Sequence, residues 1–333
     1  MENLVVVAGN SNPELFKKIE QEICTMDAGD PNFSLAKATI GKFPGGEPKI
    51  KINRNLRGKT VYVLQSTSNS WKPDQNSFAD NLVELLVLAD ACKRNSAERV
   101  KAIVPFYGGA RQDKRKDDEG REPITAALIG SLLKTAGVTD LMSVDFHSDQ
   151  CEGFFDGPVT HLFARPIFQE FVEELALPPF VGVSPDATGA ERVRKFIKKF
   201  HVPMAIVDKR RDEFGEVNGL HLIGSEHVNG KLVLVIDDIV DTARTFLTSV
   251  DMILAAGAIG VIGIFTHGVF SGDAVQNVHR NEKLLKVYVT DTIPLTEEAK
   301  ACGKIEVVSL APLIAQAILA DYHKKSIRKF SRR

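Results

Sequence analysis

Two adjacent acids close an apolar run in this chain: Leu232-Val233-Leu234-Val235-Ile236 leads into Asp237 and Asp238, and a small, hydroxyl-rich segment, Asp241-Thr242-Ala243-Arg244-Thr245, follows. An apolar run without alternation suits a strand buried on both faces of a parallel sheet, and ligands of such sheets bind just beyond the strands' carboxyl ends. Carboxylates at that place accept hydrogen bonds from sugar hydroxyls. A helix opening at Asp241 to Thr245 offers free backbone N–H groups and Thr hydroxyls to a phosphate. Together these residues read as a ribose 5-phosphate subsite. Taken alone they leave two other readings open, a solvated Asp pair ending a buried strand and a magnesium site of the Walker-B kind.

Five further segments place reactive groups in short turns: Ala110-Arg111-Gln112-Asp113-Lys114, Asp145-Phe146-His147, Gly153-Phe154-Phe155-Asp156, Ser184-Pro185-Asp186-Ala187 and Thr266-His267-Gly268-Val269-Phe270-Ser271-Gly272. By type and spacing several of the candidate groups have plain alternatives. Arg111 to Asp113 make a charged turn, His147 a structural histidine, and Lys209 with Arg211 a solvated loop after a strand. Phe43, beside Pro44-Gly45-Gly46, would be a core ring at a turn.

The elements that must position these groups are βα units. Strands are expected at Leu4–Ala8, Thr60–Gln65, Val100–Pro105, Leu141–Asp145, Phe180–Ser184, Met204–Asp208, Leu232–Ile236, Val261–Thr266, Lys286–Val289 and Glu306–Ser309. Asn81–Lys93 carries Leu82, Leu85, Leu86, Ala89 and Cys92 at helical spacing, and Thr125–Thr135 and Thr245–Ala255 are similar. Repeated βα units imply an α/β fold with two doubly wound parallel sheets. In each half an apolar strand runs into a basic turn, Val100–Val104 into Ala110–Lys116 and Met204–Val207 into Lys209–Arg211, which suggests duplicated domains meeting near 155–165.

At 333 residues and 44% hydrophobic the chain suffices for about two ordinary domains. A net charge of −1 removes bulk attraction to polyanions, so no nucleic-acid partner is expected. The apolar run Leu4–Ala8 is far short of a membrane span or signal segment, so a cytoplasmic protein without membrane contact is expected. Cys24, Cys92, Cys151 and Cys302 are scattered without metal-ligand spacing and are expected to be reduced thiols.

The six motifs, in this order and spread from about Phe43 to Ala317, resemble those of ribose-phosphate diphosphokinase, the phosphoribosyl pyrophosphate synthetase family. The sugar-phosphate loop alone would equally suit a type I phosphoribosyltransferase. The resemblance implies two domains of the type I phosphoribosyltransferase kind, 1–160 on the ATP side and 161–320 on the ribose 5-phosphate side, with a basic tail at 321–333. It implies transfer of the β,γ-diphosphate of ATP to the 1-hydroxyl of ribose 5-phosphate, with Mg2+ as cofactor. By the same resemblance His147 and Asp186 are metal ligands, Arg111, Gln112 and Asp113 bind the nucleotide, and Lys209 and Arg211 belong to the catalytic loop. Asp237, Asp238 and Asp241 to Thr245 hold ribose 5-phosphate. Phe43 and Glu47 match the adenine-stacking ring and hydrogen-bonding acid of a hairpin that reaches in from a neighbouring subunit. A dimer-based homo-oligomer, up to a hexamer, with a shared ATP site follows from that.

The departures are specific. Gly45 stands where the family carries Asp or Asn, and Arg244 where it carries glycine. Between Arg111 and Pro123 the loop gains about two residues, so Asp117, Asp118 and Arg121 have no fixed match. Typical members bind activating phosphate and inhibitory ADP between subunits; Arg57, Ser96 and Ser271 match that site, whereas Asp149 and Glu152 replace Ser and Gln, and Asn55, Thr160, His161 and Phe163 also differ. Carboxylates there repel an anion, so the regulation is expected to be lost or retuned. The segment 323–333 is strongly basic and reads as a solvated tail, with a polyanion-binding arm as the alternative. Three functional classes compete: an active synthetase, a catalytically silent synthetase-associated regulatory subunit, and a phosphoribosyltransferase. Intact His147, Asp186, Lys209 and Arg211 favour the first.

Overall fold

A computed structural model describes residues 4–26, 33–35, 38–69, 76–115, 121–211, 217–328 and 330–331, with the side chains of 33–35, 209–211 and 217–220 outside the description. The chain divides into two compact units, 1–163 with 292–294 and 309–333, and 164–291 with 295–308.

The first unit holds β1 (Leu4–Ala8), α1 (Pro13–Met26), β2 (Phe33–Leu35), β3 (Ala38–Lys42), β4 (Pro48–Ile52), β5 (Thr60–Leu64), α2 (Phe78–Arg94), β6 (Arg99–Val104), α3 (Thr125–Thr135), β7 (Asp140–Val144) and β8 (Val159–Leu162). Six of these strands form a parallel sheet in the order β2-β1-β5-β6-β7-β8, while β3 and β4 make a separate antiparallel hairpin. Helix α2 starts where Ser77 caps it: its hydroxyl accepts from the Asp80 N–H at 3.1 Å and the Asp80 carboxylate accepts from the Ser77 N–H at 2.8 Å. The apolar stripe so aligned, Leu85, Leu88, Ala89 and Cys92, is fully buried against the sheet.

The second unit holds α4 (Arg165–Glu174), β9 (Phe180–Ser184), α5 (Ala190–Ile197), β10 (Met204–Arg211), β11 (Val217–Ile223), β12 (Leu232–Val240), α6 (Arg244–Ala255), β13 (Gly260–Gly268), α7 (Ala274–Arg280), β14 (Leu284–Thr290), α8 (Glu297–Ala301) and β15 (Ile305–Val308). Its sheet runs β11-β10-β9-β12-β13-β14-β15 and is parallel except for the β10–β11 pair. Every residue of β13 is buried, as a strand covered on both faces requires. No helix among the described residues is long and apolar enough to cross a membrane.

All ten expected strands are present, several longer than expected. In both sheets the chain winds outward from a first strand and returns to its other side, so β1 and β5 correspond to β9 and β12. The basic turns at 110–116 and 209–211 are therefore not equivalent positions. The first follows β6, on the returning side, whereas Lys209 and Arg211 lie within β10, which continues into an antiparallel pairing with β11 and has a bulge between them. The units also interleave where the sequence suggests one cut near 160. The segment after β15 forms α9 (Ala311–Tyr322), which packs on α1 in the first unit. Nor is the basic tail simply solvated. Phe330 is buried and its carbonyl accepts from the Phe163 N–H at 3.3 Å.

Candidate active site

The sheet orders fix where ligands can bind, because a doubly wound sheet opens a crevice where its winding reverses, at the carboxyl ends of two neighbouring strands. In the second unit those strands are β9 and β12. Asp237 and Asp238 occupy that end, though inside β12 and not beyond it: Asp237 pairs with Phe265 and Ile239 with His267. The turn after β9 brings Asp186 to the same place. Its Oδ1 accepts from the Gly189 N–H at 2.9 Å, and the Ser184 hydroxyl donates to its carbonyl at 2.7 Å. A Cβ on Gly189 would lie 3.6 Å from Asp237 Oδ1 and 3.7 Å from Asp186 Oδ1, so the two carboxylates flank one glycine.

Between the acids sits a residue the sequence reading missed. Arg192 Nη1 donates to Asp237 Oδ1 at 2.7 Å and to Asp238 Oδ1 at 3.0 Å. Asp238 is 4% exposed. Burial and the neighbouring Asp238 push the Asp237 carboxyl up to about 8, against the Arg192 guanidinium, which draws it down. Arg192 stands in the first turn of α5, where the helix dipole disfavours a cation, and the two carboxylates offset that cost.

Beyond β12 the chain turns at Ala243, in the left-handed region at φ 58°, and enters α6 with no side chain capping its first turn. The amides of that turn remain available to an anion. Thr242, Arg244 and Thr245 are exposed around it, and the Asp241 carboxylate accepts from the Ser271 hydroxyl. The strained position is Ala243, whereas Arg244 takes helical backbone at the first residue of α6, so its Cβ is tolerated without strain.

In the first unit a cavity of 480 Å³ lies beyond the carboxyl ends of β6 and β7, and Arg111, Gln112, Asp113 and His147 all line it. Lys114, from the same motif, also lines it, as do Glu122, Thr125 and Phe78, which were not singled out as site residues by the sequence. The loop is shaped by a glycine pair. A Cβ on Gly108 would meet the Thr67 carbonyl at 2.2 Å, and Gly109 has φ 83°. Gln112 is fixed by the Thr125 hydroxyl, which donates to its Oε1, and Gln150 Nε2 donates to the Asp113 carbonyl at 3.1 Å. His147 is exposed one residue after Phe146, whose N–H donates to His161 Nε2 at 3.0 Å; this leaves His161 Nδ1–H to donate to Glu152 Oε1 at 2.7 Å. Asp149 joins that pair, the three ligand atoms lying within 4.8 Å of one another.

Phe43 and Glu47 do not line this cavity. They sit on the β3–β4 turn, closed by Phe43 N–H to the Glu47 carbonyl at 2.9 Å, and Phe43 is 49% exposed with Lys49 Nζ 5.3 Å from its ring. A Cβ on Gly45 would come within 2.7 Å of Glu47 Oε2, so glycine leaves that carboxylate room to fold over the turn. The side chains of Lys209 and Arg211, and Asp117 and Asp118, lie outside the described residues.

The chain matches two family models: the N-terminal domain of ribose phosphate pyrophosphokinase over residues 4–137, and the phosphoribosyl synthetase-associated domain over residues 183–332. It is 37% identical to ribose-phosphate pyrophosphokinase A of Dictyostelium discoideum over 326 residues, 98% of this chain and 97% of that one. To ribose-phosphate pyrophosphokinase 1 of Streptococcus mutans it is 39% identical over 329 residues, 98% and 96% of the two chains. The crystal structure of phosphoribosylpyrophosphate synthetase from Mycobacterium smegmatis superposes with a TM-score of 0.85 at 36% identity, covering 97% of this chain and all of that one. With the α/β fold and two crevices of acids and cations already described, this places the chain in the ribose-phosphate pyrophosphokinase family.

Proposed function

We propose that this protein transfers the β,γ-diphosphate of ATP to the 1-hydroxyl of ribose 5-phosphate, giving phosphoribosyl pyrophosphate and AMP for nucleotide synthesis. The observation that carries this reading is the pairing of Asp237 and Asp238 on one Arg192, next to the uncapped start of α6. The carboxyl oxygens of Asp237 and Asp238 take the ribose hydroxyls, and the amides and hydroxyls of Asp241 to Thr245 take the 5-phosphate. Arg111, with Gln112 and Asp113, takes the nucleotide and its phosphates, an Arg being suited to bidentate phosphate contact.

In the transfer the sugar 1-oxygen bonds to the β-phosphorus while the bond from that phosphorus to the α,β-bridging oxygen breaks, and AMP leaves. Charge grows on the departing and arriving oxygens, so positioning and cations supply most of the acceleration. Lys209 and Arg211 close over the β-phosphate and engage it most strongly at that point.

The donors present fit a hard divalent cation such as Mg2+. Asp186 uses one oxygen on the Gly189 N–H and keeps the other for a ligand, and His147 lines the nucleotide cavity with Asp113 and Glu122. When bound, such a cation neutralises phosphate charge. The exposed Phe43 and Glu47, outside their own chain's cavity, support an adenine pocket completed by a second copy in a homo-oligomer. The test is to incubate the purified protein with Mg2+, ATP and ribose 5-phosphate and separate the nucleotides. AMP formation that requires the sugar phosphate is expected; ADP as product, or AMP without the sugar phosphate, would remove the proposal.

A further inference from the structure

A second cavity, of 410 Å³, opens on the first unit toward the amino ends of β5 and β6, away from the nucleotide loop at the carboxyl end of β6. Register pairs Thr60 with Arg99 and Tyr62 with Lys101, so four polar side chains stand on one face of a parallel sheet that is otherwise apolar. A lysine there is costly unless paired, and Lys101, with its side chain 12% exposed, is held by Asp321 at 2.5 Å. The same carboxylate accepts from the Tyr62 hydroxyl at 2.6 Å, and Asp140 engages Arg99 at 2.6 Å. Burial and Asp321 keep the Tyr62 hydroxyl protonated, as a donor.

The lining carboxylate Asp321 is thus already used, and Asp140, outside the lining, is engaged by Arg99. Two more cations close the cavity, Lys324 and Lys325, and neither side chain has a partner among the described residues. They are held in place. Lys324 adopts φ 56° at the end of α9, the Lys325 N–H donates to the Ala320 carbonyl at 2.7 Å, and buried Phe330 anchors the segment that follows. Glu98, on the same lining, is available to accept a hydroxyl.

We infer that this cavity binds the phosphate dianion of a small molecule, with Lys324 and Lys325 taking the phosphate and the sheet-face network supporting them. The volume falls in the range of ligand pockets, about 300–1,000 Å³. The site is independent of the proposed transfer reaction, since none of its residues belongs to that machinery.

The experiment is lysine acylation of the intact protein followed by mass spectrometry, with AMP or inorganic phosphate at graded concentrations. Lys324 and Lys325 are expected to be protected at least fivefold at saturation. Protection by both probes at similar concentration identifies the free anion as sufficient, and protection by AMP alone assigns a phosphorylated organic ligand. Equilibrium dialysis with labelled probe provides a second reading: Lys324→Gln/Lys325→Gln, both exposed positions, should lose one bound probe per chain that Arg111→Ala retains. Unchanged acylation of both lysines with either probe, or equal stoichiometry in wild type and the double variant, would overturn the inference.

Discussion

Replacing Arg192 by Gln should cripple use of ribose 5-phosphate while sparing ATP. The guanidinium lies 2.7 Å from one carboxylate and 3.0 Å from the other, with side-chain exposures of 29% for Arg192, 20% for Asp237 and 5% for Asp238. Removing one partner of a buried charge pair costs about 3–5 kcal/mol, because the remaining charge is uncompensated. Part of that cost is relieved by proton uptake: burial and Asp238 already raise the Asp237 carboxyl, and without the Arg192 guanidinium that draws it down it rises further and holds its proton over more of the working pH range. A neutral carboxyl is a weaker acceptor for sugar hydroxyls, and loss of a charged hydrogen bond costs about 1.5–3 kcal/mol. That corresponds to a fall in kcat/KM for ribose 5-phosphate of about 10- to 100-fold, with KM for ATP within about twofold. Arg192→Lys should recover part of it, and activity of Arg192→Gln should climb at alkaline pH as the pair regains its charge. Steady-state kinetics with each substrate varied, between pH 7 and 9.5, decides this. An unchanged ribose 5-phosphate KM and kcat, or an equal loss toward ATP, would show that Arg192 does not hold the sugar site.

Three further outcomes are expected. Asp237→Asn should flatten the pH dependence of stability without divalent cation: a carboxyl whose folded value is raised from 3.8 to about 8 contributes stability that is complete below about 4 and is lost as pH rises through 8, at about 1.4 kcal/mol per pH unit. Thermal melts from pH 5 to 9 should show wild type falling relative to the variant, and parallel curves would rule out Asp237 as the titrating group. Lys209→Ala and Arg211→Ala should each lower turnover by about 10³-fold or more with little change in ATP binding, as cations acting mainly in the transition state do; turnover near wild type in both would exclude the loop from chemistry. Activity should be flat in a phosphate titration at fixed free Mg2+, with ADP inhibiting only in competition with ATP, because Asp149 and the Glu152–His161 pair put carboxylates at positions that match the family's anion site. Strong phosphate activation would contradict this.

The parts of the fold that were legible from sequence are those fixed by local pattern. The unbroken apolar runs at Leu232–Ile236 and Val261–Thr266 could only be doubly covered strands, and the i, i+3, i+4 stripe of Asn81–Lys93 only a helix against a sheet. The β3–β4 hairpin, implied at Phe43 and Glu47 only by the family resemblance, gave no strand signal of its own because no residue of its two short strands is buried and it lies outside the main sheet. Strand β8 escaped because only Val159 and Leu162 are strongly apolar, and its burial comes from β7. The return of α9 to the first unit depends on contacts with α1, more than 280 residues earlier, which no local window contains. Within the site, the acids and the phosphate turn were visible as types in order. Arg192 was not, since a cation on a short amphipathic helix resembles any solvated residue until the sheet topology brings β9 and β12 together.

The most direct measurement follows the label from [β-32P]ATP with ribose 5-phosphate and Mg2+ present. Transfer of the β,γ-diphosphate predicts that the label appears in phosphoribosyl pyrophosphate, one per AMP formed, and that Lys209→Ala abolishes both together. Label retained in ADP, or no sugar-bound label with wild type, would contradict the assignment.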